Sequence, residues 1–361
     1  MTMIKTIMIC GSGTGGHFFP AYAFYESLKK LTHARIIFVG VGKPMENMMK
    51  KDRTVEYIKV KMVSSSLLRS NFIAFLFFFI MSIFQAFFLL LFNRPSIVVC
   101  FGGYTSLPIG IMARMLFIRT VVHEQNEVMG RSNRILRSFG AKCYSHFRIP
   151  GTRQMHNPLR YKIIEGKFFP DKSKFNIKND NRVILITGGS QGATNLNDTI
   201  FETINKFMED PRFDNWDIIH ITGDKESDYK RGRVHGNNHH RYQCYRFLDN
   251  IDEAYAISDI AITRGGSLTL SELQYFGIKK IIVPYPYASD DHQTKNALFY
   301  ESTHEDVIIP QELFSPELLY ITLLRLTEHT PPKEQLNYEE HIRDMIDEYS
   351  GEKLANIILN S

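Results

Sequence analysis

Short, strand-like runs rich in apolar residues alternate with longer helical stretches along almost the entire chain of 361 residues. In the first half these runs fall at 4–10, 35–40, 55–60, 97–101, 120–124 and 142–145, and helices are predicted to begin near Pro20, Gly42, Asn71, Pro108 and Gly130. In the second half they fall at 183–187, 216–221, 242–245, 260–263, 280–283 and 307–309. Helices there are predicted from about Ala193, Ile251, Leu268, Gln293 and Ser315, with a last one over 334–359. A strand with one wet face alternates apolar and polar residues, whereas a run that is apolar throughout is buried on both faces. The pattern therefore predicts an α/β protein whose parallel sheets are covered by helices. Asn157-Pro158 and the polar stretch to Asn181 read as a linker, because proline disfavours helix in the residue before it. The expected domains are residues 1–160 and 161–340, with a C-terminal helix at 341–361 packing back towards the first domain.

Two of the predicted strands run straight into glycine-rich turns. Residues 4–10 lead into Gly11-Ser12-Gly13-Thr14-Gly15-Gly16-His17, and residues 183–187 lead into Gly188-Gly189-Ser190-Gln191-Gly192. A glycine turn at the carboxyl end of a strand lets backbone N–H groups gather round an anion, and the helix that follows adds its positive end. One such turn in each half points to two Rossmann-like domains facing each other across a cleft. That arrangement suits an enzyme joining two large phosphate-bearing substrates.

Residues 71–94 break the pattern. Phe72 to Phe92 carries no charge, is interrupted only by Ser82 and Gln85, and is flanked by Arg69 and Arg94. At ~1.5 Å per residue such a helix reaches about 31 Å, enough for a hydrocarbon core of ~30 Å. Its neighbours in sequence are two predicted strands of one sheet, which a bilayer crossing would separate. The favoured expectation is a helix that covers the sheet with one face and dips into a membrane with the other, with Phe75, Phe78 and Phe79 among its exposed residues. A wholly buried core helix and a true span are the alternatives.

Composition adds little to this picture. The chain is 44% hydrophobic and 22% charged, and its net charge of +5 leaves room for a basic patch facing phosphates or anionic lipid. Cys10, Cys100, Cys143 and Cys244 form no CxxC pair and read as reduced thiols of a cytosolic protein, not as a disulfide framework or zinc site. The first strand begins so early that a cleaved signal peptide is not expected.

Candidate chemistry gathers at strand ends. His17 stands at the mouth of the first turn, just before Pro20, where an imidazole could accept a hydroxyl proton or merely cap the helix. His123-Glu124-Gln125-Asn126 ends one strand, and burying four such side chains is costly without a ligand or partners. Gly102-Gly103-Tyr104-Thr105-Ser106 ends the neighbouring strand in the same way. In the second half Arg264-Gly265-Gly266-Ser267 opens a helix on which Glu272 could take both hydroxyls of a ribose or could simply be solvated. Asp290-Asp291-His292-Gln293 follows another strand, and sugar hydroxyls suit it better than a metal ion. A dinucleotide-dependent oxidoreductase is disfavoured because the second strand, ending Val39-Gly40, supplies no acidic residue for a ribose.

Taken in order, Gly13-Thr14-Gly15-Gly16-His17, Gly102-Gly103-Tyr104, His123-Glu124-Gln125-Asn126, Asn157-Pro158-Leu159-Arg160 and Gly188 to Ala193 resemble the MurG family. So do His220-Ile221-Thr222-Gly223, Arg264 to Glu272, Pro284-Tyr285-Pro286 and Asp291-His292-Gln293. The resemblance spans about residues 6–300 and implies the GT-B fold of a peptidoglycan glycosyltransferase. It implies inverting transfer of N-acetylglucosamine from UDP-N-acetylglucosamine to the 4-hydroxyl of an undecaprenyl-diphospho-N-acetylmuramyl-pentapeptide. It also implies a peripheral place on the cytoplasmic face of the bacterial inner membrane, which residues 71–94 fit as the contact with the cytoplasmic leaflet. The nearest rival within the fold is a glycolipid synthase acting on diacylglycerol.

Residue by residue, the resemblance implies a substrate-binding set of Thr14, Gly15, Gly16, Asn126, Arg160, Ser190, Leu248, Ser267, Leu268, Thr269, Leu270, Ser271, Glu272 and Gln293. Ser190 and the turn before Leu268 would hold the donor diphosphate, Glu272 the ribose, Gln293 the sugar and the backbone at Leu248 the uracil. The first glycine turn would hold the acceptor diphosphate. His17 is the favoured general base, with Glu124 second. No cofactor is required for the chemistry, a divalent cation is left open, no residue is assigned to a metal, and no nucleic acid is implied. Ser267 stands where the family usually has alanine, and His156 where it commonly has glycine.

Overall fold

The computed structural model describes residues 5–52, 54–61, 71–165, 171–188, 193–223, 241–304, 306–331 and 338–360. They form two compact units, residues 1–164 with 346–361, and residues 165–345.

The first unit runs β1 (Thr6–Cys10), α1 (Gly15–Leu31), β2 (Arg35–Gly40), α2 (Asn47–Lys51), β3 (Glu56–Lys59), α3 (Phe72–Asn93), β4 (Ile97–Cys100), α4 (Gly103–Met115), β5 (Arg119–Glu124), α5 (Arg131–Ser138), β6 (Lys142–Ser145) and β7 (Arg153–Gln154). Its strands form one sheet in the order β3-β2-β1-β4-β5-β6-β7, and each pairing is parallel. Ile7 and Ile9 face one core and Met8 and Cys10 the other, so β1 is buried on both sides as its unbroken apolar run predicts. β7 is two exposed residues with no apolar signal, which is why periodicity misses it.

Two helices begin earlier than their prolines suggest. α1 starts at Gly15, and Pro20 lies inside it; α4 starts at Gly103, and Pro108 lies inside it. Proline is well placed at a helix start, and glycine is a poor helix former, so the sequence favours the wrong boundary. The first turn of α1 forms regardless, with the carbonyl of Thr14 accepting from the N–H groups of His17 (3.2 Å) and Phe18 (3.0 Å).

α3 is a crossover helix between β3 and β4 of the same sheet. Ser82, Ala86 and Leu90 are buried, and Phe79, Ile83 and Phe87 pack beside them on the sheet core. The opposite face, with Phe77, Met81, Phe84 and Phe88, is exposed. A wholly buried helix is thus ruled out, and Phe79 belongs to the packed face and not to the exposed one.

α6 (Tyr161–Glu165) lies at the end of the first unit's main stretch, and the second unit runs through β8 (Arg182–Thr187), α7 (Thr194–Glu209), β9 (Trp216–Ile221), β10 (Tyr242–Tyr245), α8 (Ile251–Ile257), β11 (Ile260–Thr263), α9 (Ser267–Tyr275), β12 (Lys279–Ile282), α10 (His292–His304), β13 (Val307–Ile308) and α11 (Pro316–His329). Its sheet order, β10-β9-β8-β11-β12-β13, repeats that of the first unit. The single terminal helix expected over 334–359 is two helices, α12 (Tyr338–Tyr349) and α13 (Gly351–Leu359). The hydroxyl of Ser350 caps the second by accepting from the N–H of Glu352 at 3.1 Å. Gly351 is required there: a Cβ would lie 2.6 Å from Oγ of Ser27 and 3.2 Å from the carbonyl of Ala23 on α1. Leu354, Ala355 and Ile358 of α13 then complete the core around α1.

Candidate active site

In a doubly wound sheet the crevice opens where the strand order reverses, beyond the carboxyl ends of the strands. In the first unit that point lies between β1 and β4, and both strands leave the sheet through glycine turns. Gly13, Gly102 and Gly103 have φ of +102°, +92° and +79°, conformations that other residues adopt only at a cost. The absence of side chains on Gly102 and Gly103 has a second consequence. A Cβ on Gly102 would lie 2.9 Å from Cδ2 of His17, and one on Gly103 would lie 2.8 Å from the carbonyl oxygen of Ser12. The two turns therefore pack directly on each other, with the half-buried His17 ring between them. Ser106 fastens them further, its hydroxyl lying 3.0 Å from the carbonyl oxygen of Cys10 and 2.7 Å from that of Gly102. Nδ1 of His17 is 2.9 Å from Oγ1 of Thr14, the residue at the helix cap. Arg160, also half-buried, lays its guanidinium over the Phe19 ring at 5.7 Å.

The polar cluster ending β5 has its partners inside the protein. Oε1 of Glu124 accepts from the backbone N–H (3.0 Å) and side-chain amide (3.2 Å) of Asn126, and Oε2 accepts from the N–H of Gly130 (2.9 Å) and the amide of Asn133 (2.7 Å). Four donors fill the lone-pair positions of this carboxylate. Its geometry is that of a loop anchor, holding Asn126 at the rim. His123 is fully buried, with Nε2 3.1 Å from the carbonyl oxygen of Met155 and Nδ1 3.3 Å from the amide of Gln125. Burial depresses its pKa to about 4, so it stays neutral and donates to Met155. His146, buried nearby, is held neutral by the same cause. His156, the departure from the family pattern, lies edge-on to His146 and tilted against Tyr349, with ring centroids 5.3 and 5.0 Å away, and is 3.6 Å from the Glu348 carboxylate.

In the second unit the switch point lies between β8 and β11. Of the turn after β8, Ser190 and its neighbours 189–192 lie outside the described residues. The turn after β11 is fully described. Gly266 caps α9, whose first-turn N–H groups belong to Ser267, Leu268 and Thr269. Gly265 is forced by packing, since a Cβ would come within 2.3 Å of the Gln293 carbonyl oxygen. Oε1 of Gln293 accepts from the backbone N–H of Gly265 (3.1 Å) and of Tyr285 (3.0 Å), which fixes the amide orientation and turns its NH2 away from both. Glu272 is buried to 5% exposure, and Oε2 accepts from the Tyr255 hydroxyl at 3.0 Å, so it is not a solvated surface charge. Leu270 and Ser271 point inwards and are core. Leu248 is half-buried on the loop after β10, beside exposed Phe247. Asp290 and Asp291 are exposed and adopt φ of +54° and +53° just before α10. Among the described residues no group of three His, Cys, Asp or Glu is placed to hold a metal ion.

His220 also proves structural. Nδ1 is 2.7 Å from the Tyr242 hydroxyl, and Nε2 is 3.0 Å from the side-chain oxygen of Asn197, which ties α7 to β9 and β10.

Two family models match this chain, the glycosyltransferase family 28 N-terminal domain over residues 7–145 and the C-terminal domain over 183–349. Together these matches define a family 28 glycosyltransferase. The UDP-N-acetylglucosamine–N-acetylmuramyl-(pentapeptide) pyrophosphoryl-undecaprenol N-acetylglucosamine transferase of Blochmanniella floridana is 30% identical over 339 residues, 89% of this chain and 88% of that one. The transferase of the same name from Ralstonia nicotianae is 30% identical over 332 residues, 90% and 88% of the two chains. The crystal structure of Acinetobacter baumannii MurG superposes with a TM-score of 0.74 at 26% identity, covering 99% of this chain and 100% of that one. The chain belongs to the MurG family.

The buried histidines make the first unit acid-sensitive. His123 is neutral in the fold to about pH 4, while an unfolded histidine protonates near 6.5. The unfolded chain therefore binds the extra proton in that window, and stability present above pH 6.5 is lost as pH falls towards 4, by about 1.4 kcal/mol per pH unit for each such histidine. Denaturant titrations from pH 7.5 to 4.5 are expected to show this slope, and His123→Gln to flatten it by about one proton. A slope unchanged in the variant would show that His123 does not contribute.

Proposed function

We propose that this glycosyltransferase transfers N-acetylglucosamine from UDP-N-acetylglucosamine to the 4-hydroxyl of an undecaprenyl-diphospho-N-acetylmuramyl-pentapeptide, with inversion at the anomeric carbon. The observation that carries this reading is the near-full-length match to transferases named for that reaction. The position of His17, between two glycine turns at the switch point, supports it. With Nδ1–H donated to Thr14, Nε2 is the basic nitrogen and takes the proton of the acceptor 4-hydroxyl as its oxygen attacks the anomeric carbon. The bond from that carbon to the diphosphate breaks, and UDP departs with the electron pair. The first-turn N–H groups of α9 and the Arg160 guanidinium stabilise diphosphate charge. Glu124 is a poor base, because its four donors would have to be given up. Glu272 and the NH2 of Gln293 would take ribose and sugar hydroxyls, respectively. No metal is needed for any of these contacts.

Radiolabelled UDP-N-acetylglucosamine offered with the muramyl lipid or with diacylglycerol tests the reaction. Label is expected only in the muramyl lipid, and turnover only with diacylglycerol would replace this function by glycolipid synthesis. His17→Ala is expected to lower turnover by about 100-fold or more while UDP binding by calorimetry is retained. Near-normal turnover would move the base elsewhere.

Glu272→Ala is expected to cost the donor about 1–3 kcal/mol, since ribose hydroxyls lose a buried acceptor. The KM for the nucleotide sugar rises and that for the lipid does not; an unchanged donor KM would remove Glu272 from the site.

The outer face of α3 we assign to the cytoplasmic leaflet. Phe77, Phe84 and Phe88 are 60%, 57% and 51% exposed, and Lys59, Lys61 and Arg94 are exposed nearby in sequence. Apolar burial contributes ~25 cal/mol per Å², and each basic residue near anionic lipid ~1 kcal/mol. Changing these three phenylalanines to serine is expected to release the protein from vesicles in flotation assays, with activity on a water-soluble acceptor intact. Unaltered flotation would place the membrane contact on another surface.

A further inference from the structure

Beneath the first glycine turn lies a carboxylate that the chemistry above does not use. Glu46, at the end of a short 3-10 turn (Pro44–Glu46), has no exposed surface. One of its oxygens, Oε1, accepts from the hydroxyl of Ser12. The other accepts from the Tyr57 hydroxyl at 2.6 Å and from the N–H of Gly42 at 2.8 Å. All three partners are neutral groups, and between them they supply donors to both oxygens of the buried side chain. Burial and the adjoining carboxylate raise the pKa of the Tyr57 phenol, which keeps it a donor. The neighbouring backbone is shaped around this carboxylate: a Cβ on Gly40 would lie 2.3 Å from its Oε2, and Gly42 has φ of +85°.

Ser12 is the point at which this cluster meets the site. It is 1% exposed, its Oγ also accepts from the N–H of Val41 at 3.3 Å, and its carbonyl oxygen rests against Gly103. Five residues further on stands His17. We infer that Glu46 is a positioning residue: through Ser12 it fixes the seat of the first glycine turn and hence of His17 against the second turn. This inference rests on the proposed role of that turn and of His17 in taking the acceptor.

The amide of Glu46→Gln can accept from Tyr57 and Gly42 with its oxygen and donate to Ser12 with its nitrogen, so turnover is expected to stay within about threefold of the unaltered chain. Glu46→Leu removes the strut, and Ser12→Ala cuts only its link to the turn. Each is expected to lower kcat/KM for the muramyl lipid by about tenfold or more, with the KM for UDP-N-acetylglucosamine changed by less than about twofold. Ser12→Ala deletes one hydroxyl and keeps the test valid should Glu46→Leu not fold. The second readout needs no turnover: in protein labelled at histidine Cε1, the His17 resonance is expected to shift or broaden in Ser12→Ala and Glu46→Leu but not in Glu46→Gln. An unaltered chain that transfers no sugar would count against the proposed reaction, and the His17 resonance would still decide the strut. Folded Ser12→Ala with unchanged lipid kinetics and an unchanged His17 resonance would overturn the inference, as would Glu46→Gln as defective as Glu46→Leu.

Discussion

Strands buried on both faces have no room for chemistry along their length. Ile7 to Cys10 and Ile97 to Cys100 are each completely enclosed, and a polar side chain there would need a partner within the core. Polar groups are therefore driven to the carboxyl ends, where the chain leaves the sheet and helix N-termini face outward. At the first switch point the constraint is sharper, because β1 and β4 are neighbours and their exit turns must share one space. Glycine at 102 and 103 is what allows it: the Ser12 carbonyl and the His17 ring occupy the volume that two Cβ atoms would take. Gly265 does the equivalent for the first turn of α10 in the second unit.

The same constraint explains what was legible in the sequence. A strand enclosed on both sides is a largely apolar run, so the positions of β1, β2, β4, β5, β8, β9, β11 and β12 could be read within a residue or two. Elements that bury little escaped. β7 is exposed, and the break between α12 and α13 rests on a single Ser-Gly pair whose meaning comes from contact with α1. Helix starts were misplaced wherever a glycine opened the helix and a proline followed within it. Pattern alone fixed the locations of the candidate clusters and not their partners. His123 and His220 look like ligand groups in sequence because nothing local shows Met155, Tyr242 or Asn197 arriving from distant elements. Glu46 gave no signal at all, since its meaning depends on Ser12, which is 34 residues away.

Polar side chains at the strand ends therefore divide into those whose hydrogen bonds are consumed by the scaffold and those that keep an atom directed outward. Glu124 belongs to the first kind, with both oxygens doubly occupied. Gln293 differs, because two backbone donors on one oxygen turn its NH2 away from Gly265 and Tyr285. The distinction is one of geometry, and it separates the two more firmly than residue type does.

α3 shows a different limit of sequence reading. Its hydropathy is nearly uniform round the helix, so no polar stripe marks the side that faces the sheet. The two faces differ in size instead. Ser82 and Ala86, with Leu90, lie on the packed side at spacings of four residues, and the Ser82 hydroxyl is satisfied within the helix by the carbonyl of Phe78 at 2.8 Å. Small residues there let the helix axis approach the sheet between Phe79 and Phe87, while Phe77, Phe84 and Phe88 turn outward. A bilayer-spanning helix would need both flanking strands on opposite sides of the membrane, yet β3 and β4 are held in one continuous parallel sheet through β2 and β1. The helix is long and apolar enough to cross a membrane by length and composition alone, whereas the strands at its two ends are parts of one hydrogen-bonded sheet.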